Sequence, residues 1–302
     1  MKTALLFSGQ GAQHVGMGKS LYDNLEEIKK YWDSANEVLG FNLKEITFNG
    51  PEEKLTDTSV CQPALYVHGY SIFKILEKKE NLQNLVAALG LSLGELTALA
   101  AAEVFDFETG LRIVAERGRL MQEACKATDG GMASLIGGSP ELVKELCEKC
   151  DVDMANINCP GQIVISGERS KIEAACEKAK EMAFSRVIPL KVAGAYHSRL
   201  MKSAAEAFGR FLTGIEFKSP KIKVFTNTTG EAIENPTKIK EALVKQVVSS
   251  VLWEKCMENA AKLGIEPYYE CGPGKVLSGL ARRINKDWVV RSISEFSDLE
   301  NL

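Results

Sequence analysis

The run Gly90-Leu91-Ser92-Leu93-Gly94 stands between an apolar segment at 85–89 and a helix-like segment at 95–102. A strand that turns at once into a helix needs glycines where a Cβ would clash, and such a turn lifts the serine hydroxyl clear of the sheet. Ser92 is therefore the candidate nucleophile, and the next amide, Leu93 N–H, can meet a developing oxyanion. A serine nucleophile needs a base, and the chain has three histidines, His14, His68 and His197. His68 lies in an apolar helical stretch and reads as a core or surface histidine. His14 sits in a glycine-rich loop and could line a site. His197, in Gly194-Ala195-Tyr196-His197-Ser198, falls at a domain junction just before a helix, where clefts form, and is preferred over His14. Arg117 shares a helix face with Ile113, Val114, Leu120 and Met121, with Gly118 beside it permitting close approach. A cation on an apolar face needs a counter-charge. It is either half of an internal salt bridge or a bidentate clamp for a substrate carboxylate.

Other patterns carry less. Gly9-Gln10-Gly11 follows a strand, but His14 occupies the third glycine position of a dinucleotide fingerprint. Gly18-Lys19-Ser20 ends like a phosphate loop, yet Gln13 stands where that loop needs its first glycine. Cys147 and Cys150 form one CxxC without a second pair or a nearby histidine, and read as two cysteines on a helix face. No metal site is expected.

The elements that must hold Ser92, His197 and Arg117 follow from periodicity. Strands are expected at 3–7 and 85–89, with helices at 95–102 and 110–124. After the hinge-like Asp129-Gly130-Gly131, the order between 132 and 190 is strand, helix, strand, strand, helix, strand, the βαββαβ order of a ferredoxin-like unit. Helices at 198–212, 236–249 and 253–263 then alternate with strands at 222–227 and 267–271, and a last strand is placed at 288–291. This implies an α/β protein with a mostly parallel sheet. The expected division is a discontinuous large subdomain (1–128 and 195–302) with a small ferredoxin-like subdomain inserted at 129–194. The segment 85–102 is long and apolar enough to suggest a membrane span. Its Gly90, Ser92 and Gly94 fit a strand, turn and helix better. The 302 residues carry 37 basic and 40 acidic side chains, a net charge of −3, which argues against unaided nucleic-acid binding. The opening apolar run is too short for a secretory signal, so reduced thiols and a cytoplasmic location are expected.

Taken together, several segments resemble malonyl-CoA:acyl carrier protein transacylases. They are Phe7-Ser8-Gly9-Gln10-Gly11-Ala12-Gln13, Gly90-Leu91-Ser92-Leu93-Gly94-Glu95, Arg117-Gly118-Arg119-Leu120-Met121-Gln122, Ala155-Asn156-Ile157-Asn158-Cys159-Pro160-Gly161-Gln162 and Tyr196-His197-Ser198-Arg199-Leu200-Met201. Gln246 ahead of Val251-Leu252-Trp253, and Glu270-Cys271-Gly272-Pro273-Gly274, extend the likeness over nearly the whole chain. The resemblance implies a hydrolase-like large subdomain. It also implies that Ser92 is acylated, that His197 is its base, and that the Gln246 backbone carbonyl orients His197. The Gln10 and Leu93 amides would form the oxyanion hole, Arg117 would bind the malonyl carboxylate, and Asn158 and Leu91 would contact substrate. The family usually has histidine where this chain has Leu91, so Leu91 is expected to bear on acyl preference and rate. Tyr196 just before the base resembles malonyl-selective rather than methylmalonyl-selective members.

The expected reaction moves malonyl from malonyl-CoA to the phosphopantetheine thiol of acyl carrier protein through a seryl ester, in fatty acid biosynthesis. No bound cofactor is implied, and the protein is expected to be a monomer that meets its carrier transiently. Arg199, Lys202, Arg282 and Arg283 are candidates for docking an acidic carrier. The alternatives are a trans-acting acyltransferase of a polyketide pathway, a serine thioesterase, and a non-catalytic carrier-binding subunit.

Overall fold

The structure, a computed structural model, describes residues 1–79, 82 and 84–301. Its first strand, β1 (Lys2–Phe7), is buried from its second residue onward, as an apolar run covered on both faces must be. Five helices follow: α1 (Lys19–Asn24), α2 (Glu26–Leu39), α3 (Leu43–Asn49), α4 (Glu52–Thr56) and α5 (Thr58–Lys78). Then come β2 (Leu85–Gly90), α6 (Gly94–Ala101) and α7 (Phe107–Ala127). The next segment holds β3 (Gly130–Ile136), α8 (Pro140–Cys150), β4 (Asp153–Cys159), β5 (Gln162–Glu168), α9 (Arg169–Lys180) and β6 (Arg186–Pro189). A 3-10 turn (Arg199–Met201) leads into α10 (Lys202–Thr213), β7 (Lys223–Phe225), β8 (Ala232–Ile233) and α11 (Pro236–Gln246). The chain closes with α12 (Trp253–Ala261), β9 (Ile265–Cys271), α13 (Val276–Ile284), β10 (Val290–Ile293) and a second 3-10 turn (Phe296–Asn301).

Two sheets result. The larger has the order β10-β9-β1-β2-β7-β8, parallel throughout except for the antiparallel edge strand β8. The smaller has the order β4-β5-β3-β6 with every neighbour antiparallel. That order is what two interlocked βαβ units must give, each placing a strand of the other between its own pair. The fold is thus α/β with a mostly parallel sheet and a separate ferredoxin-like unit, and we propose 129 and 194 as the limits of the latter.

Several boundaries differ from the sequence expectation. The helices expected over 236–249 and 253–263 end at Gln246 and Ala261, and the last strand is Val290–Ile293 rather than 288–291. Three further shifts have local reasons. Helix α7 begins at Phe107 because the Asp106 carboxylate caps it, accepting from Thr109 N–H at 2.8 Å. The helix expected from 198 starts as the 3-10 turn, capped by the Ser198 hydroxyl, and becomes regular at Lys202. The strand expected over 222–227 shortens to β7, and the chain turns back to form β8. The apolar segment at 85–102 is strand β2, a turn and helix α6, and no helix among the described residues is long and apolar enough to cross a membrane.

Candidate active site

Parallel strands β1 and β2 end side by side, so their C-terminal loops open onto one crevice, the usual ligand side of such a sheet. The turn after β2 is tight. A Cβ on Gly90 would lie 1.8 Å from the Gly94 carbonyl carbon, and one on Gly94 would lie 2.2 Å from the Phe7 carbonyl oxygen. Only hydrogen fits at either position. Ser92, between them, has φ +53°, a left-handed conformation that costs a residue with a Cβ about 1–3 kcal/mol. Asn227, two residues beyond β7, braces this turn. Its Oδ1 accepts from Ser92 N–H at 2.7 Å, and its Nδ2 donates to Gly90 O at 2.9 Å. The hydroxyl that results is partly exposed at the mouth of α6.

Ser92 Oγ lies 2.7 Å from His197 Nε2, and His197 Nδ1 lies 2.8 Å from the Gln246 carbonyl oxygen. A carbonyl can only accept, so Nδ1 carries the proton and Nε2 is left to accept the serine's. His197 is also left-handed, with φ +56°. Burial, and then the nearby Arg117 charge, push its pKa down from 6.5 to about 4, against the opposing pull of the Gln246 carbonyl. The imidazole is therefore free base at neutral pH. Acylation by malonyl-CoA should stay level from about pH 8 down to about pH 5.5, as measured in single turnovers. A rate that halves near pH 6.5 would contradict this.

Arg117 lacks the internal salt bridge that one of its two readings requires. It is 1 % exposed, yet it joins no salt bridge among the described residues. Instead Nη1 donates to Gln62 Oε1 at 2.8 Å, and Nη2 donates to Gln246 Oε1 at 2.8 Å and to Ser92 Oγ at 3.1 Å. Its Nε is buried without a hydrogen-bond partner. The acidic side chain coupled to it is Glu95, which accepts from Gln246 Nε2 at 2.7 Å and Asn227 N–H at 2.9 Å. Burial lowers the guanidinium pKa to about 10, still leaving it charged at neutral pH, and raises that of Glu95. A cation met by neutral amide oxygens beside the nucleophile can take an anion without first breaking an ion pair.

Gln62, Glu95 and Asn227 were not singled out from the sequence, and neither was the Gln246 side chain. The available signal was a polar residue in an apolar setting: Glu95 is the single charge in 85–102, and Gln62 precedes Pro63 and the apolar run at 64–67.

A cleft of about 670 Å³ opens over this group, between the two sheets. Gln10, Leu91, Asn158, Tyr196 and His197 all line it. The Asn158 Oδ1 atom is buried there without a partner. Tyr196 OH is 2.6 Å from Thr58 Oγ1 and accepts from Gln10 Nε2 at 3.3 Å, which ties the loop after β1 to the approach to His197. Leu91 packs against Gly9, where a Cβ would come within 2.8 Å of its Cδ2. His14 is exposed and outside this lining, and His68 is buried in the helical core with neither ring nitrogen bonded. Of the four basic docking candidates, Arg199 pairs with Asp151 and Asp153. Arg282 and Arg283 are exposed, and Lys202 pairs loosely with Glu206 at 4.0 Å.

With the geometry in hand, comparison with known proteins gives a consistent result. The family described as "Acyl transferase domain" matches residues 4–273. A malonyl CoA-acyl carrier protein transacylase of Bacillus subtilis (strain 168) is 38% identical over 99% of this chain and 95% of its own length. Among solved structures, an acyl carrier protein S-malonyltransferase from Vibrio cholerae superposes with a TM-score of 0.95 at 37% identity, covering 100% of this chain and 99% of the other. A malonyl-transacylase in complex with a type II PKS acyl-carrier protein superposes with a TM-score of 0.96 at 34% identity, over 100% and 98%.

Proposed function

This chain belongs to the acyl transferase domain family, among the malonyl CoA-acyl carrier protein transacylases, and from that premise we propose how its residues share the reaction. The enzyme is an acyltransferase that moves a malonyl group from malonyl-CoA to acyl carrier protein. The observation that supports the residue roles best is the unbroken chain Ser92 Oγ, His197 Nε2, His197 Nδ1, Gln246 O, with the Arg117 guanidinium 3.1 Å from the nucleophile.

In the first half-reaction, Ser92 Oγ attacks the thioester carbonyl and its proton passes to His197 Nε2. The backbone N–H groups of Gln10 and Leu93 have no protein acceptor among the described residues, and they hold the oxyanion. The intermediate collapses, the coenzyme A sulfur leaves with the proton from Nε2, and Ser92 carries the malonyl ester. An ester oxygen is a poor acceptor, so the Arg117 Nη2–H that met Ser92 Oγ is released to the malonyl carboxylate, two bonds from the ester carbonyl. In the second half the phosphopantetheine thiol gives its proton to Nε2 and attacks the ester. Ser92 departs and regains that proton. Gln246 O keeps Nδ1–H pointed away from the serine in both halves. Asn158 Oδ1 and Leu91 contact the incoming acyl-thioester arm, and Tyr196 closes the wall behind the acyl group.

Malonyl-CoA serves as substrate, with no resident cofactor required. The protein works as a monomer in the cytoplasm, meeting its carrier transiently, and we place it in fatty acid biosynthesis. A polyketide carrier is the second reading, favoured by the relative bound to a type II PKS carrier. Mixing enzyme, malonyl-CoA and holo carrier protein should place malonyl on the carrier thiol, by intact mass, and apo carrier should remain unmodified. Free malonate as the main product would indicate a hydrolase instead. Comparing fatty-acid and polyketide carriers at equal concentration ranks the two pathways.

A further inference from the structure

Strand β4 is one of the two edge strands of the small sheet, and it touches both halves of the base assembly. At its start, Asp153 Oδ2 accepts from the backbone N–H of Arg199 at 2.9 Å, two residues beyond His197. The Arg199 side chain closes on the same carboxylate, with Nη2 2.7 Å from Oδ1, while Nη1 reaches Asp151 Oδ1 at 2.6 Å. Further along, the free edge of β4 pairs with the chain that leaves Gln246. Val251 N–H donates to Ala155 O at 2.8 Å, Ile157 N–H donates to Val251 O at 2.9 Å, and Ser250 Oγ donates to Met154 O at 2.6 Å. The seven-residue strand thus holds the His197 turn at one end and the Gln246 segment in its middle.

His197 needs such support. Its backbone is left-handed, and the turn that follows is held by the Ser198 hydroxyl, which donates to Ala195 O at 2.6 Å. That bond closes the turn on itself without fixing it to anything outside. The Asp153 carboxylate does so, and it lies at the opening N–H groups of the 3-10 turn, where a negative charge is favoured.

We infer that Asp153 is a positioning residue for malonyl transfer: by clamping Arg199 it seats the His197 turn on β4, the strand that also anchors Gln246. The inference rests on His197 being the base. The Arg199–Asp153 pair is substantially exposed, with side chains 57% and 26% accessible, so as an ion pair it adds little to stability. Its effect lies in geometry, where displacements of about 1 Å cost about a hundredfold in rate.

Asp153→Ala should lower the single-turnover acylation rate constant by about ten- to a hundredfold. The malonyl-CoA concentration giving half the maximal rate should move by less than about twofold, because the acyl pocket is untouched. The unfolding midpoint should fall by less than about 3 °C. Asp153→Asn keeps an acceptor for Arg199 N–H and should recover most of the loss. Lys171→Ala breaks the neighbouring pairs with Asp151 and Glu168 but leaves Asp153 and its contact to Arg199 N–H in place, and should match the unmodified enzyme. His197→Ala is measured alongside. If it keeps full rate, the base assignment fails. If it is inactive while Asp153→Ala matches Lys171→Ala, the base stands and the positioning inference is overturned. A rate loss in Asp153→Ala that comes with a parallel rise in half-saturation, or with a large fall in midpoint, also overturns it.

Discussion

Replacing His197 by alanine is expected to slow malonylation of Ser92 by about 10²- to 10⁴-fold, the range that a positioned general base supplies. Three observations set the size of the loss. Nε2 lies 2.7 Å from the nucleophile, its proton-accepting form is fixed by Gln246 O at 2.8 Å, and its depressed pKa keeps it free base at neutral pH. His14 is exposed and outside the cleft, and His68 is sealed in the core, so neither can take over. Half-saturation should change little, because a proton acceptor acts on the transition state more than on bound substrate. Rapid-quench measurement of the acyl-enzyme tests this, and a loss below about tenfold would contradict the assignment.

Arg117→Ala should separate acyl groups rather than slow them all. Hydrogen bonds to a charged group contribute about 1.5–3 kcal/mol each, so losing the clamp should cost malonyl loading about 10²-fold or more. Acetyl-CoA offers no carboxylate, and its loading should fall by less than about tenfold, through loss of the contact to Ser92 Oγ. Arg117→Lys keeps the charge but not the planar fork, so it should lie between the two. Equal losses for malonyl and acetyl would remove the clamp and favour a general acyl hydrolase.

Much of this arrangement could be read in advance because it is local. Gly90 and Gly94 are demanded by a turn that admits no Cβ, and they bracket Ser92 within one short motif. The order of strands and helices between 130 and 189 already contains the small sheet. His197 stands out by scarcity and by its junction position, and family resemblance supplied Gln246, whose proposed role falls to a backbone carbonyl that any residue type could provide. What stayed hidden is held by distant pairings. Asn227 reaches back 135 residues to Ser92, and Glu95 meets Gln246 across 151. No periodicity records such partners. Sequence left Arg117 open between a salt bridge and a clamp, and its amide-oxygen neighbours favour the clamp we propose. Nor does the sequence around Arg199 record its pairing with Asp151 and Asp153.

The central claim is that malonyl resides on Ser92 during transfer. Mixing the protein with malonyl-CoA alone, quenching in acid and measuring the intact mass tests it most directly. The account predicts a single malonyl adduct that peptide mapping places on Ser92, that Ser92→Ala abolishes, and that holo carrier protein discharges. An adduct that persists in Ser92→Ala, or transfer to carrier with no adduct at any time, would contradict it.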